Sequence, residues 1–241
     1  MQVSVNRVLL VNPPSGRFRR DDRCQCDVDQ QTVSIVFPPN DLALIAACVE
    51  SAGGVCRIED FTLKSEASIS DLLNLVRDFQ PDLLILNFTT ATYSDDLLAC
   101  EAVKELSPET LIAGKGEVLV YDAFSPFLAC QALDLILPNE AELAVKELVE
   151  GKPLSEILGL HFRVELLTRM GLSPSEENCA PRGKAHLSHI FERKKARGQL
   201  AETEVEKDIG AVIFTGLRPL GEDLDSLPFP ARHLLENNLY I

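Results

Sequence analysis

The chain has 241 residues, enough for one good-sized domain with an appendage. Hydrophobic residues make up 46% of it, so we expect a buried core rather than disorder, and its net charge of −14 argues against a nucleic-acid-binding face. The sequence contains no apolar run approaching the roughly 18 residues of a membrane span, and its N-terminus does not resemble a signal peptide. These features predict a cytoplasmic protein that neither crosses a membrane nor binds nucleic acid.

Short apolar runs alternate with longer amphipathic runs over the first 150 residues, beginning with the strand-like "RVLLVN" before Pro13 and Pro14. The predicted strands cover 7–12, 55–61, 82–88, 110–114 and 134–138. The predicted helices cover 40–54, 68–81, 94–106 and 139–151. We also expect a short helix at 120–124, before Pro126.

Several of these helices carry local start and stop signals. The first predicted helix has Leu42, Ile45, Ala46 and Val49 on one face, and Gly53-Gly54 follow its end. The helix at 68–81 begins with serine and precedes Pro81. In the later helices, Ser94 is the predicted N-cap of 94–106, and Asn139 with Glu142 resembles a capping box.

The repeated strand–helix alternation predicts a doubly wound, flavodoxin-like or Rossmann-like α/β domain with a five-stranded parallel sheet. The run "DLLILNF" is apolar on both faces, as in a sheet covered by helices on both sides. In such folds ligands bind at the carboxyl ends of the strands. That rule selects the loops at 12–16, 88–94, 113–117 and 138–140.

The pattern changes after residue 160. We predict a charged helical insertion, helical or mobile, at 164–209 outside the sheet, because this stretch lacks a strand period. The run "GAVIFTG" at 210–216 predicts one more strand. From residue 221 onward the chain is rich in proline and charge, as in a linker between domains, and we call these residues the C-terminal strap. The predicted organisation is thus a domain at 1–163, the insertion, and a final strand and linker at 210–241.

No catalytic constellation and no metal site are predicted from the residues. The seven cysteines are scattered, mostly in apolar contexts, and the single C-x-C pair is weak evidence for a metal. All four histidines lie beyond residue 160, after the strand–helix unit. The run "AGKGE" lacks the length and hydroxyl residue of a Walker loop, and no G-x-G-x-x-G follows the first strand.

Four stretches together carry a resemblance to a known family. These stretches are "RVLLVNPP", "PPNDLALIAACVESAGGVCRIEDF", "PDLLILNFTTATYSDDLLACEAVKE" and "RPLGEDLDSLPFPARHLL". They resemble the N-terminal cobalamin-binding domain of radical SAM enzymes, in the group that includes anaerobic magnesium-protoporphyrin ester cyclases and radical methylases. The resemblance covers about 1–163 and 210–235, and in that family the last stretch leads to the radical SAM barrel.

The resemblance implies a module that holds cobalamin for a radical SAM domain, present in the same polypeptide or in a partner. A 4Fe–4S cluster and S-adenosylmethionine would then belong to that other domain, because the chain lacks the family's C-x-x-x-C-x-x-C spacing. The implied cofactor-binding residues are Asn12, Pro13, Pro14, Thr89, Thr90, Ala91, Thr92, Tyr93, Gly114, Lys115, Gly116 and Glu140. No protein ligand to cobalt is expected, since "NPPSGRFRR" stands where other cobalamin domains carry D-x-H-x-x-G.

Two alternatives remain open on the sequence alone. The family's Ala-Gly-Gly-Pro-His is here Ala113-Gly114-Lys115-Gly116-Glu117, and its Gly-Glu-x-Glu is here "PNEAE". Lys115 and the insertion favour a degenerate interaction or regulatory module that has lost the cofactor. A cobalamin-responsive sensor is the other alternative.

Overall fold

A mixed seven-stranded sheet with helices on both faces forms the centre of the computed structural model, which describes residues 5–15, 18–21, 24–27, 36–64, 66–121, 124–138, 140–163, 165–166, 212–218 and 224–240. The strands are β1 (Arg7–Asn12), β2 (Phe18–Asp21), β3 (Cys24–Asp27), β4 (Val55–Asp60), β5 (Leu83–Asn87), β6 (Leu111–Lys115), β7 (Leu135–Leu137), β8 (His161–Arg163) and β9 (Val212–Phe214). The helices are α1 (Asn40–Ser51), α2 (Ile69–Phe79), α3 (Tyr93–Leu106), α4 (Val118–Tyr121), α5 (Phe124–Ala129) and α6 (Glu142–Val149).

The sheet has the strand order β4-β1-β5-β6-β7-β8-β9. The first five of these strands are parallel, which confirms the predicted α/β class. Their order is flavodoxin-like, because the second strand lies outside the first. Strands β8 and β9 extend the sheet in antiparallel orientation, which the sequence pattern did not predict. The strand order reverses between β1 and β5, so the switch point lies at the carboxyl ends of these two strands.

Two apolar layers cover the faces of the sheet. Helices α1 and α6 pack on one face, and α2, α3 and the two short helices pack on the other. The predicted apolar face of α1 is fully buried, and Leu83 to Leu86 are buried on both sides of β5, as expected for a covered strand.

Helix boundaries agree with the local signals in part. Ser68 and Asp71 form a capping box at α2, and Gly53 follows α1 with φ of 84°. The predicted caps of α3 and α6 are wrong: α3 begins one residue before Ser94, and Ala141 is the N-cap of α6. Asn139 lies outside the described residues.

The short helix predicted at 120–124 is replaced by α4 and α5. Helix α5 contains Pro126 and does not end before it, because proline in a first turn removes a backbone N–H that has no intrahelical partner.

Strands β2 and β3 form a separate two-stranded antiparallel ribbon, an element the sequence pattern did not predict. We refer to it as the ribbon. The predicted insertion lies outside the described residues apart from 165–166. The two strands that flank it in the sequence, β8 and β9, pair with each other, with Arg163 opposite Val212. The three-part division of the chain stays a prediction.

The C-terminal strap packs against the domain. The Ala231 N–H donates a 2.8 Å hydrogen bond to the Ala43 carbonyl of α1, and Leu234 and Leu235 pack on the core layer of that helix. Phe229, in contrast, is 95% exposed. The strap therefore packs on α1 and contacts the end of β4 through Tyr240 and Asp60, while it presents one aromatic ring to solvent.

Candidate binding site at the carboxyl ends of the strands

Four polar side chains end four adjacent parallel strands and form what we call the strand-end row. The strand register pairs Asn12 with Asp60 and Asn87 with Lys115, while β1 and β5 run side by side. Two positions before each of these four residues, the strand contributes a side chain to the core layer that contains α1 and α6. Because side chains alternate along a strand, all four row side chains lie on that same face of the sheet. The side chains are Asp60, Asn12, Asn87 and Lys115, each at most 6% exposed.

Three members of the strand-end row form a continuous hydrogen-bond chain. The Asn87 amide donates through Nδ2 to Asn12 Oδ1 at 2.9 Å, and Asn12 donates through Nδ2 to Asp60 Oδ1 at 3.0 Å. Thr62 donates to the same Asp60 oxygen from its N–H and its hydroxyl, at 3.1 and 2.6 Å. Burial raises the pKa of the Asp60 carboxyl above its ordinary range, and these hydrogen bonds oppose that shift.

The loop after β5 directs its hydroxyl groups inward. Thr89 and Thr92 are buried, with their hydroxyl oxygens 2.6 Å apart, and Thr92 donates to Asp96 Oδ2 at 2.8 Å. Of the other predicted residues there, Thr90 and Ala91 are exposed, and Tyr93 packs edge-on against Phe88. The Thr89 and Thr92 hydroxyls that we predicted as ligand partners therefore bond within the loop and to Asp96.

The ribbon contributes a buried ion pair that sequence reasoning missed. Arg20 Nη2 lies 2.8 Å from Asp96 Oδ1, and the two side chains are 1% and 0% exposed. The guanidinium also donates to Ser15 Oγ at 2.9 Å and to the Asn87 carbonyl. Burial raises the pKa of Asp96 while the Arg20 charge opposes the shift. Nothing local distinguishes Asp96 from its exposed neighbour Asp95, so no sequence signal identified this pair.

Lys115 lies between the N-termini of α1 and α6. Its ammonium group is 2.6 Å from Asp41 Oδ2, and its side chain is 5% exposed. The nearby Glu142 carboxyl has a pKa raised by burial and by the Glu140 and Asp41 charges, and lowered in part by Lys115. The Lys115 ammonium is therefore engaged with α1 within the chain.

The predicted glycines serve the packing of the chain itself. A Cβ atom on Gly114 would lie 2.8 Å from Leu119 Cδ1 and 3.2 Å from Phe88 Cε2, inside the core. Gly116 has φ of 142°, and a Cβ there would lie 2.2 Å from the Phe88 carbonyl oxygen. A larger residue at position 114 would disturb the core. A loss of ligand binding after such a substitution would therefore not identify Gly114 as a ligand contact.

The remaining predicted residues lie around this edge. Pro13 is buried, Pro14 is half-buried and Glu140 is exposed. Among the residues that the structure describes, no group of His, Cys, Asp and Glu side chains could hold a metal ion. None of the described helices has the length and apolar character needed to cross a membrane.

The fold and this polar edge define a flavodoxin-like α/β domain with a candidate ligand site at the switch point. No family model matches the chain. It is 25% identical over 165 residues to an uncharacterized methyltransferase from Pyrococcus horikoshii, an alignment that covers 67% of this chain and 33% of that protein.

Two solved structures have a similar fold. One is the radical S-adenosylmethionine methyltransferase TsrM from Kitasatospora setae with cobalamin and a [4Fe-4S] cluster bound, at a TM-score of 0.51 and 15% identity, over 67% of this chain and 28% of that chain. The other is the cobalamin-dependent S-adenosylmethionine radical enzyme OxsB with aqua-cobalamin bound, at 0.52 and 15%, over 68% of this chain and 22% of that chain. The chain spans about a third of the curated relative's length and less of either enzyme.

Proposed function

We propose that this chain is a corrinoid-binding module that holds cobalamin at the carboxyl ends of its parallel strands for a radical SAM domain. The observation that carries the proposal is the polar strand-end row at the switch point of a fold shared with two cobalamin-dependent radical SAM enzymes. Parallel α/β sheets bind ligands at this edge as a rule. The radical SAM domain, in the same polypeptide or in a partner, is part of the proposal.

The residues at this edge fit the chemistry of a corrinoid. A corrinoid carries neutral carboxamide arms around its ring, and such arms are recognised by neutral donors and acceptors. Asn12 and Asn87 provide both kinds of group, and Asn87 Oδ1 is a buried acceptor without a hydrogen-bond partner among the described residues. The edge therefore offers amide recognition, the chemistry that this ligand requires.

The chain's own residues would bind and orient the cofactor. Asn12 and Asn87 would fix its arms, the loop after β5 would bound it on one side, and the ribbon would limit access of water. When bound, a corrinoid supplies a cobalt ion that can carry an alkyl group, and such chemistry is the cofactor's own. The described residues at this edge include no histidine that could coordinate cobalt, so the proposed role of the chain is to position the cofactor.

One observation favours a second candidate function. The buried Arg20–Asp96 pair holds the ribbon against β5 through contacts internal to the chain. A module that had lost its cofactor could keep its edge closed in this way and act as an interaction or regulatory subunit. Cofactor uptake distinguishes this candidate from the corrinoid module.

The proposal is tested by adding hydroxocobalamin to the purified chain, removing excess by gel filtration and measuring the retained absorbance. We expect retention close to one equivalent, and a loss of affinity of about ten-fold for Asn12→Ala, the effect of one or two buried hydrogen bonds. Asn6→Ala is the matched control, because Asn6 is exposed at the amino end of the same strand. No retention by the unmodified chain would reject the corrinoid module and favour the second candidate.

Lys115 stands where the cobalamin-binding domains that the sequence resembles carry the second glycine of Ala-Gly-Gly-Pro-His. The variant Lys115→Ala tests whether this lysine prevents cobalamin binding. We expect an affinity within about two-fold of the unmodified chain, since the Lys115 ammonium bonds to Asp41. A large gain in affinity would show instead that Lys115 obstructs the site.

A further inference from the structure

The Asn87 side chain has one satisfied end and one unsatisfied end. Its Nδ2 donates to Asn12 Oδ1, while its Oδ1 has no hydrogen-bond partner among the described residues although the side chain is almost fully buried. A buried carbonyl oxygen without a donor is unfavourable, because it has lost its hydrogen bonds to water and gained none in their place. This cost makes the end of β5 a place where a donor from outside the chain would be stabilising.

The orientation of this amide follows from the hydrogen-bond chain. A backbone N–H can only donate, so the bond from the Thr62 N–H makes Asp60 Oδ1 an acceptor. Asn12 must then direct Nδ2 to Asp60 and Oδ1 to Asn87. Asn87 must in turn direct Nδ2 to Asn12, which leaves its oxygen as the free end. The strand-end row therefore fixes an acceptor at the switch point.

The ribbon contains a buried hydrogen-bond donor that also lacks a partner among the described residues. Arg20 Nε has no hydrogen-bond partner among the described residues, although both Nη atoms of the same guanidinium are engaged. Arg20 also contacts Asn87 directly, through the bond from Nη1 to the Asn87 carbonyl. One unsatisfied acceptor and one unsatisfied donor thus belong to two residues that touch across the interface of ribbon and sheet.

We propose that Asn87 Oδ1 and Arg20 Nε form a recognition site for a carboxamide group. The ligand amide would donate an N–H to Asn87 and accept from Arg20. A carboxylate has no proton to give to Asn87 and would lie near Asp96, and an ammonium group has no acceptor for Arg20. The group must be slender, because the ribbon covers Asn87, so an arm of a ligand enters here and not a ring system. This inference rests on the proposed function and names the part of the corrinoid that this edge recognises.

The test uses the ¹⁵N-labelled full chain and two probes, hydroxocobalamin and acetamide, with acetate as the matched control for acetamide. The measured signals are the Arg20 Nε–H and the side-chain amides of Asn12 and Asn87. Hydroxocobalamin contains low-spin Co(III), which is diamagnetic, so these signals stay observable. We expect both probes to shift the Arg20 Nε–H signal and acetate to leave it unchanged.

Arg20→Lys is the conservative variant, because it keeps a cation facing Asp96 and removes the Nε–H. We expect hydroxocobalamin affinity to fall about ten-fold or more, as for loss of one hydrogen bond to a charged group. Arg77→Lys, the same change at an exposed arginine of α2, should alter affinity less than about two-fold. A circular dichroism spectrum and an unfolding curve verify that each variant folds.

Failure of this inference is distinguishable from failure of the proposed function. If hydroxocobalamin binds while the Arg20 and Asn87 signals and the Arg20→Lys affinity are unchanged, the carboxamide site is rejected and the corrinoid module stands. If hydroxocobalamin does not bind, the acetamide titration decides: a shift with acetamide alone supports the site. No shift, or the same shift with acetate, overturns it.

Discussion

The Tyr240 hydroxyl of the C-terminal strap donates a 3.1 Å hydrogen bond to Asp60 Oδ2, across 180 positions of sequence. The other oxygen of Asp60 accepts from Asn12, so the strap is joined to the strand-end row through a single carboxyl group. Burial and the neighbouring Asp60 charge raise the pKa of the Tyr240 phenol, which keeps it protonated and able to donate. A segment that the sequence presents as a linker thus ends in contact with the candidate site.

Tyr240→Phe should lower the free energy of unfolding by about 1–2 kcal/mol, because it removes a hydrogen bond to a buried carboxyl group while keeping the ring. His233→Ala is the control on the same strap, since its bond to Glu50 is exposed and should contribute close to nothing. Urea unfolding measures both. Equal effects of the two changes would mean that the Tyr240–Asp60 bond does not hold the strap.

Relative to the unmodified chain, Asp60→Asn should raise the free energy of unfolding more at neutral pH than at acidic pH. The folded-state pKa of Asp60 is raised, so the folded protein binds more protons than the unfolded chain between the ordinary pKa and the raised one. The free energy of unfolding contributed by Asp60 therefore falls as pH rises through that window, and asparagine removes this loss. The amide can still accept from Thr62 and Asn12 through Oδ1 and donate to Tyr240.

Asp71→Asn should change the free energy of unfolding with the opposite pH dependence. Hydrogen bonds from the Ser68 backbone and hydroxyl lower the pKa of Asp71, so its contribution to stability is present at neutral pH and lost as pH falls through the lowered pKa. Urea unfolding at about pH 4 and about pH 7 should therefore show Asp71→Asn destabilising mainly at the higher pH. The same pH dependence in both variants would contradict the assignment for Asp60.

Asp96→Ala should lower the free energy of unfolding by about 3–5 kcal/mol, because it leaves the Arg20 guanidinium buried without its counter-ion. Asp95→Ala, one residue earlier and exposed, should cost less than about 1 kcal/mol through the dipole of α3. Chemical denaturation compares the two. In the double variant Arg20→Met with Asp96→Leu, much of the loss should be recovered, since no buried charge remains.

Limited proteolysis should cut first between Ser173 and Lys207, inside the predicted insertion, as its polarity and lack of strand period suggest. The two fragments should stay associated in gel filtration, because β8 pairs with β9 and the Thr215 N–H bonds to the Leu160 carbonyl at 3.0 Å. First cleavage within 82–114, with the insertion intact, would contradict this prediction.

Local patterns in the sequence determined most of the central architecture. The buried face of α1, the doubly apolar β5 and the serine at the start of α2 were all predicted from the sequence. The alternation of strands and helices predicted the five parallel strands, and the switch-point rule selected the edge that contains the strand-end row. These features depend on residue spacing within one element, so a short window of sequence contains them.

Only the tertiary structure decided which side chains meet at that edge. Asn12 and Asn87 are 75 positions apart, and Arg20 and Asp96 are 76 apart. The same structure turned Thr89 and Thr92 inward, directed Gly114 into the core and brought Tyr240 to Asp60. Strand register and packing bring such residues together through pairings between distant segments. A local pattern predicts that a strand exists and which way its side chains alternate, but not which residue of another strand stands opposite.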